Sequence, residues 1–478
     1  MWFVRALSAR GQRLGHPQLG ARRFPDPRWD AKIYIHGYPP DVHVRTTTEE
    51  AVHNVLYMAF MFPPLAGPSS RYNLGTVRGL LAHGFSPTVV TAPEVIGTAP
   101  DGSRPVTLRA RQWPQDEYLR SQLPQEVSVL RCPWPLESQR VATMISNLLR
   151  LPLLPYFFKR GRNRMNDVAR RALEMRNYDL IYSVNGVGVE HSTALELKRS
   201  TGLPWVAEFR DPWIHNRWEW HLIKDRSWHW WCARQFRRVR WMLREIVETA
   251  DLVVVESPLH AEYLIKDFEL DAQNVVALGM GFEPAYMRDM AEGLVAFPTR
   301  PVIGFVGQPY YGYQSAIKNL VDSLKALELK GHRFTLVSVG SDTTFHTYAD
   351  EAKLRSFVPI GSVDHSLALA LTNALDFGIV AACEECLPNI NSKLWEYLAL
   401  NLSIIAIAPK GGSMHAIIAE GDCGYVLPYD VESMLPVLET AFHDYENARH
   451  KRASSDFVQR YSRQTLMAEL AKKIEGLI

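Results

Sequence analysis

A lysine and a glutamate three residues apart, Lys393 and Glu396, stand near the head of the stretch Pro388–Asn401 (PNINSKLWEYLALN). Leu394, Trp395, Leu398 and Ala399 recur at helical spacing and predict one buried face. Asn391 or Ser392 takes the N-cap position just before that face. A helix start offers unpaired N–H groups and a partial positive charge, which attract anions such as phosphate. Lys393 adds a formal charge in the first turn, and Glu396, off the apolar face, can accept hydrogen bonds from sugar hydroxyls. A phosphate site beside a hydroxyl acceptor suits a sugar nucleotide.

Holding these groups in place requires a sheet. In the second half of the chain, residues 302–306, 334–339, 357–360, 377–381 and 404–408 are apolar runs of strand length that alternate with helical patterns such as 315–329. That alternation predicts a parallel sheet, with ligands at the strand carboxyl ends. Gly307, Pro388–Lys393 and Gly411–Ser413 all fall at such ends. The first half repeats the pattern: a strand at 55–60, a loop at 61–70, a helix at 71–83 ended by Gly84, and a strand at 88–91. Further strands are predicted at 179–184, 205–209 and 252–256, with a helix at 190–200. Order is expected from about Asn54, and residues 97–140 are expected to be irregular. No G-x-G-x-x-G accompanies the first strand, so a dinucleotide cofactor is not supported.

The predicted fold class is α/β, two Rossmann-like doubly wound domains facing a central cleft. The expected organisation is a poorly ordered N-terminal extension (1–52), a first Rossmann-like domain (53–280), a linker (281–300), a second Rossmann-like domain (301–455) and one C-terminal amphipathic helix (456–478) packing back on the first domain.

Several signatures, in order along residues 54–470, resemble glycosyltransferases that use nucleotide sugars and have the GT-B fold, most like family 4. Phe62–Arg71 (FPPLAGPSSR) resembles the first loop of such enzymes, and Gly84–Thr91 the strand after it. Trp205–Trp213 (WVAEFRDPW) resembles the FRDPW loop of a bacterial subset that builds surface glycans. Ala250–Ser257 (ADLVVVES) resembles the strand leading out of the first domain, and Ser392–Ala399 the donor-binding helix. The resemblance implies a metal-independent, retaining transfer of sugar to a hydroxyl acceptor on a glycan, lipid or small molecule. It implies that the first domain binds the acceptor and the second the donor, with donor contacts from Gly67, Gln308, Lys318, Val358, Asn391, Ser392, Lys393 and Glu396. It also carries two departures. Many relatives pair two glutamates with seven residues between them, whereas Pro388 stands where the first would be; Gln308 stands where many relatives have arginine.

Sugar transfer needs stabilisation of the leaving diphosphate, removal of a proton from the acceptor and close alignment of both. No Asp-x-Asp occurs, so a metal-bridged diphosphate is not expected. A helix N-terminus supplies about 0.3–1 kcal/mol to an exposed anion and up to about 2 when partly buried, so an Arg or Lys must assist. Arg210, Lys318 and Lys393 are the candidates. Arg210 can instead pair with Asp211 or Glu208. Asp211 is either a catalytic base or a loop-fixing acceptor of backbone N–H groups; under retention it need not be a base. A sugar-nucleotide epimerase of the same fold and a non-catalytic sugar-nucleotide-binding protein are the alternatives.

Composition narrows the partners. Net charge is +2, but residues 1–280 carry 36 basic and 28 acidic groups, +8, and the remainder 17 and 23, −6. The basic front half suggests an anionic surface or acceptor. An apolar stretch at 141–158 runs into Lys159, Arg160, Arg162 and Arg164, the pattern of an anionic membrane surface contact through residues 141–171. The Trp- and Arg-rich segment 205–241 is an acceptor groove, an interfacial anchor or a Trp-rich core. Nucleic acid is not expected, since no binding motif accompanies the basic residues. The five cysteines are odd in number and scattered, as in a reducing compartment. Cys383-x-x-Cys386 lacks a second pair to complete a zinc site, so no metal is expected. No apolar run reaches the roughly 18 residues of a membrane span, and a cytoplasmic protein, peripheral on the inner membrane face, is expected.

Overall fold

The computed structural model describes residues 34–35, 53–94, 115–132, 154–184, 188–215, 229–284, 287, 293–297, 299–307, 314–341 and 343–478. Side chains of residues 34–35, 154–161, 229–235 and 293–294 are outside this description, as are residues 97–114 and 133–153 of the stretches discussed above.

After a two-residue strand β1 (Tyr34–Ile35), the first domain alternates strand and helix. Its elements are β2 (His53–Ala59), α1 (Pro68–Ala82), β3 (Phe85–Thr91), α2 (Glu117–Ser121), β4 (Ser128–Arg131), α3 (Leu154–Met175), β5 (Leu180–Val184), α4 (Val189–Thr201), β6 (Trp205–Phe209), α5 (His229–Thr249), β7 (Leu252–Val255), α6 (Pro258–Phe268) and β8 (Val275–Ala277). The strands form one parallel sheet in the order β4-β3-β2-β5-β6-β7-β8.

The connection carries β9 (Gly293–Leu294), which pairs antiparallel with β1. The second domain follows as β10 (Val302–Val306), α7 (Gln314–Leu329), β11 (Thr335–Val339), α8 (Thr344–Glu351), β12 (Phe357–Gly361), α9 (His365–Asn373), β13 (Phe377–Ala381), α10 (Lys393–Ala399), β14 (Ser403–Ile407), α11 (Ser413–Gly421), β15 (Gly424–Leu427) and α12 (Val431–Glu446). Its parallel sheet has the order β12-β11-β10-β13-β14-β15. In both sheets the first strand lies inside and the chain winds outward in both directions. The order reverses between β2 and β5 and between β10 and β13, and ligands of doubly wound sheets bind at such reversals. The two Rossmann-like domains of the expected fold class are therefore present.

The apolar runs become central strands because both faces are covered. In β6, Trp205, Ala207 and Phe209 join the core on one face, while Val206 joins the core on the other. Where the chain departs from expectation, local chemistry gives the reason. The helix α1 starts at Pro68, not Arg71, because a proline at the first position has its φ already set and no N–H to lose. The stretch 97–140 is not wholly irregular: Asp116 caps α2 by accepting from the amide of Leu119 at 3.1 Å, and β4 is a short edge strand. Edge strands bury little, so their apolar signal is weak.

The expected single C-terminal helix is two, α13 (Ser455–Arg460) and α14 (Arg463–Glu475). The connection pins the break. The amide of Phe282 donates to the carbonyl of Tyr461 at 3.1 Å, and the amide of Arg463 donates to the carbonyl of Phe282 at 2.8 Å. Ser462 then caps α14 through the amide of Thr465. Leu466, Met467, Leu470, Ala471 and Ile474 are buried in the core beneath α1, in the first domain. Each large apolar side chain so buried contributes about 1.5–3 kcal/mol.

Candidate functional site

The loop from Ala382 to Ser392 joins the end of β13 to α10 at the second domain's reversal point. Asn391 builds the turn. Its side-chain amide donates to the carbonyl of Ala381 at 3.3 Å, and its Oδ1 accepts from the amide of Lys393 at 3.0 Å. The carbonyl of Asn391 accepts from the amide of Leu394 at 2.9 Å. Asn391 is thus the working cap, and Ser392 makes no side-chain capping bond. The amides of Lys393 and Leu394 are thereby satisfied within the turn.

Leu394, Trp395, Tyr397 and Leu398 anchor the helix in the core, with Tyr397 rather than the half-buried Ala399 completing the face. Lys393 and Glu396 are left at the rim. Lys393 Nζ lies 2.5 Å from Glu396 Oε2, and each side chain is about one-fifth exposed, 20% and 19%.

The first domain contributes from across the cleft. His365, the first residue of α9, has its imidazole pushed down to about 2 by burial and by the positive charges of Arg71 and Lys393. Arg71 lies in the first turns of α1 in one domain, and Lys393 opens α10 in the other. Both therefore bear on one neutral histidine between the domains. Arg71 and His365 were not among the sequence candidates. Arg71 closes the FPPLAGPSSR segment, but its partner lies 294 positions away in sequence (365 minus 71).

Gly67 caps α1 with φ 136°, a left-handed value that favours glycine, and a Cβ there would meet nothing within 4 Å. Gly307, at the end of β10, has φ 131° and the same open space. The strand-to-helix connection that follows the first strand of each sheet core thus carries a glycine beside unfilled volume. Gly67 offers no side chain to cap α1, so the amides opening that helix have no side-chain acceptor of this kind.

On the floor of the first domain, the register Phe209↔Val255 brings Arg210 and Glu256 side by side at the ends of β6 and β7. The Arg210 guanidinium lies 4.0 Å over the Tyr72 ring, and Arg463 of α14 lies 4.0 Å from the same ring centre. Tyr72 donates its hydroxyl to Glu208 Oε1, and Tyr182 donates to Glu208 Oε2 at 2.7 Å. Glu208 is occupied by two tyrosines.

Asp211 is exposed at the end of β6, among surrounding protein that limits its hydration. That crowding raises its proton affinity, and Arg210 opposes the rise. Glu256 is 5% exposed, and its Oε1 has no hydrogen-bond partner among the described residues. Burial first, then the nearby Asp211, push the Glu256 carboxyl well above the usual carboxylate range, again against Arg210. Sequence reasoning missed Glu256 because the end of an apolar strand looks structural.

A raised carboxyl favours the native state while protonated, and that stabilisation is lost as pH rises through the folded-state value. Glu256→Gln is therefore expected to raise the melting temperature, more at alkaline than at acidic pH, because the variant escapes the cost of ionising a buried carboxyl as pH rises. A gain independent of pH in thermal melts would contradict the assignment of a neutral Glu256.

Other candidates lie elsewhere. Lys318 is on the exposed side of α7, 2.7 Å from Asp322, with Glu351 as a further acidic neighbour. Val358 is half-buried on the edge strand β12, opposite Val337. Gln308 lies outside the described residues.

Residues 67–281 match the family model described as Glycosyl transferase 4-like domain. No curated protein matches the chain by sequence. Among solved structures, the fold is similar to sucrose-phosphate synthase from Thermosynechococcus elongatus, with a TM-score of 0.61, 15% identity, and 89% of this chain and 99% of that one covered. It is also similar to HepE from Anabaena in complex with UDP-glucose, with a TM-score of 0.55, 14% identity, and coverage of 89% and 100%. A glycosyltransferase from Rickettsia africae gives a TM-score of 0.55, 14% identity, and coverage of 89% and 98%.

Proposed function

We propose that this chain, which has the GT-B fold and carries a glycosyl transferase 4-like domain over residues 67–281, transfers a sugar from a nucleoside diphosphate sugar to a hydroxyl acceptor. The charges of Arg71 and Lys393, from opposite domains, both act on the buried His365, and Glu396 is paired with Lys393; this carries the reading. A diphosphate is the dianionic bridge such a pair accepts, and the ribose hydroxyls go to Glu396. Glu396 now holds Lys393, so the donor replaces an internal ion pair with one phosphate contact and one sugar contact. As the glycosidic bond breaks, negative charge grows on the diphosphate between the two cations, which a water-poor cleft makes effective. Arg210, Asp211 and the neutral Glu256 line the acceptor side. Transfer with retention, as the likeness to family 4 implies, leaves Asp211 to orient the acceptor hydroxyl. The complex of HepE with UDP-glucose supports a nucleotide-sugar donor.

Incubation of a panel of nucleotide sugars without acceptor tests the reaction type. Slow release of nucleoside diphosphate is expected; conversion of the sugar with no nucleotide released would identify an epimerase instead.

The acceptor is proposed to be met at an anionic membrane surface. Among the described residues, no helix is long and apolar enough to cross a membrane. The helix α3 buries Met165, Ala169 and Ala172 and leaves Arg164, Arg171 and Met175 on its outer side, Met175 being 81% exposed. On α5, Trp241 is 62% exposed between Arg238 and Arg244. Both helices pack against α4, so these groups share one side of the domain. Arg162 is already paired with Glu196 at 3.2 Å. Replacing Arg164, Arg170 and Arg171 with serine is expected to weaken binding to phosphatidylserine vesicles by roughly 100-fold, at about 1 kcal/mol per charge. Arg162→Ser alone is expected to change little. Undiminished vesicle binding by the triple variant would remove the membrane from the account.

A further inference from the structure

The turn at the root of the Lys393 loop holds two thiols. Cys383 follows Ala382 just past β13, and the amide of Cys386 donates to the carbonyl of Cys383 at 3.0 Å. That turn leaves Glu384 and Glu385 exposed, Cys383 half-buried and Cys386 3% exposed. This i to i+3 turn sets the two cysteines at its first and last positions. The same segment is tied to its surroundings at three consecutive residues. The carbonyl of Cys386 accepts from the amide of Asn389 at 3.2 Å, and the carbonyl of Leu387 from the amide of Ser413 at 2.8 Å. The carbonyl of Pro388 accepts from Ser257 Oγ of the first domain at 2.9 Å. The thiol pair therefore sits where the donor-side loop begins and where the two domains touch.

We propose that Cys383 and Cys386 are a reversible dithiol–disulfide site, oxidised by exchange with a low-molecular-weight disulfide, whose state sets the mobility of residues 384–393. A hydrogen-bonded four-residue turn holds the Cα atoms of its first and last residues within about 7 Å, which overlaps the roughly 4.4–6.8 Å that a disulfide spans. Exchange is by thiolate attack. The Cys383 thiolate attacks one sulfur of the external disulfide, forming a mixed disulfide and releasing one thiolate. The Cys386 sulfur, losing its proton to solvent, then attacks Cys383 Sγ, closes the internal bond and releases the second thiolate. Two electrons pass to the external disulfide, and the two protons end on its two thiol products.

The contact with Cys386 and an amide of the turn hold the Cys383 thiol below the usual range, against its partial burial and the flanking glutamates. Cys132 and Cys423 provide the contrast, since burial pushes both thiols up to about 12. Oxidation is read without substrate, so it stands or falls apart from the transfer reaction.

The test uses the full chain carrying Cys232→Ser, treated with glutathione disulfide under native conditions and mapped by mass spectrometry. Expected is a loss of two hydrogens in the peptide containing Cys383 and Cys386, reversed by dithiothreitol, with Cys132 and Cys423 still free to alkylate after unfolding. Cys386→Ser is expected to stop at a glutathione adduct on Cys383. Amide exchange over residues 384–393 is expected to slow on oxidation. A stable glutathione adduct with both cysteines present, thiols that react only after unfolding, or unchanged exchange in the oxidised loop would each overturn the proposal.

Discussion

Glu396→Ala is expected to weaken binding of the nucleoside diphosphate sugar by about 10- to 150-fold, the loss of a charge-assisted hydrogen bond worth about 1.5–3 kcal/mol. The pattern across fragments of the donor is more telling than the size. Glu396 now lies 2.5 Å from Lys393 Nζ, so its removal frees that ammonium. The ribose end loses its acceptor while the phosphate end gains an uncommitted cation. Calorimetry should therefore show affinity for the nucleoside falling, with affinity for inorganic pyrophosphate unchanged or improved. If pyrophosphate and nucleoside binding fell together, Glu396 would be acting by holding Lys393 and not by binding sugar.

Arg71→Ala is expected to do the reverse. Pyrophosphate and the nucleoside diphosphate sugar should both lose about 10- to 150-fold, because a charge-assisted contact to phosphate is worth about 1.5–3 kcal/mol. Nucleoside binding should hold. Arg71 also acts on His365, whose imidazole is held down to about 2 by burial and then by the charges of Arg71 and Lys393. Removing Arg71 should raise the proton affinity of His365, which imidazole NMR titration would record. An unmoved His365 resonance together with intact pyrophosphate affinity would place Arg71 outside the site.

The architecture was legible because central parallel strands are written as short apolar runs. Val302–Val306, Phe377–Ala381 and Trp205–Phe209 occur in the structure with the predicted bounds. The strand β4 was missed because an edge strand of four half-exposed residues carries little pattern. The C-terminal break was missed because Tyr461 and Arg463 are fixed by Phe282, a contact no local window contains.

The site was legible in part. Lys393 and Glu396 announced themselves by spacing within one turn. Arg71, His365 and Glu256 did not, since each gains meaning only from a group brought in from another element. At the helix start the sequence left the cap open between Asn391 and Ser392; Asn391 engages the amides of Lys393 and Leu394. Lys318 was a charge counted without its neighbour Asp322, one helical turn away.

The central claim, that a nucleoside diphosphate sugar is the donor, is tested most directly by thermal melts of the full chain with UDP-, GDP-, dTDP-, ADP- and CMP-linked sugars. A ligand present at 100 times its dissociation constant stabilises the fold it binds by about 2.7 kcal/mol. One of the diphosphate-linked sugars is expected to raise the melting temperature, and Glu396→Ala and Arg71→Ala should each reduce the rise. If no diphosphate-linked sugar moved the transition, or both variants responded like the parent chain, the claim would be contradicted.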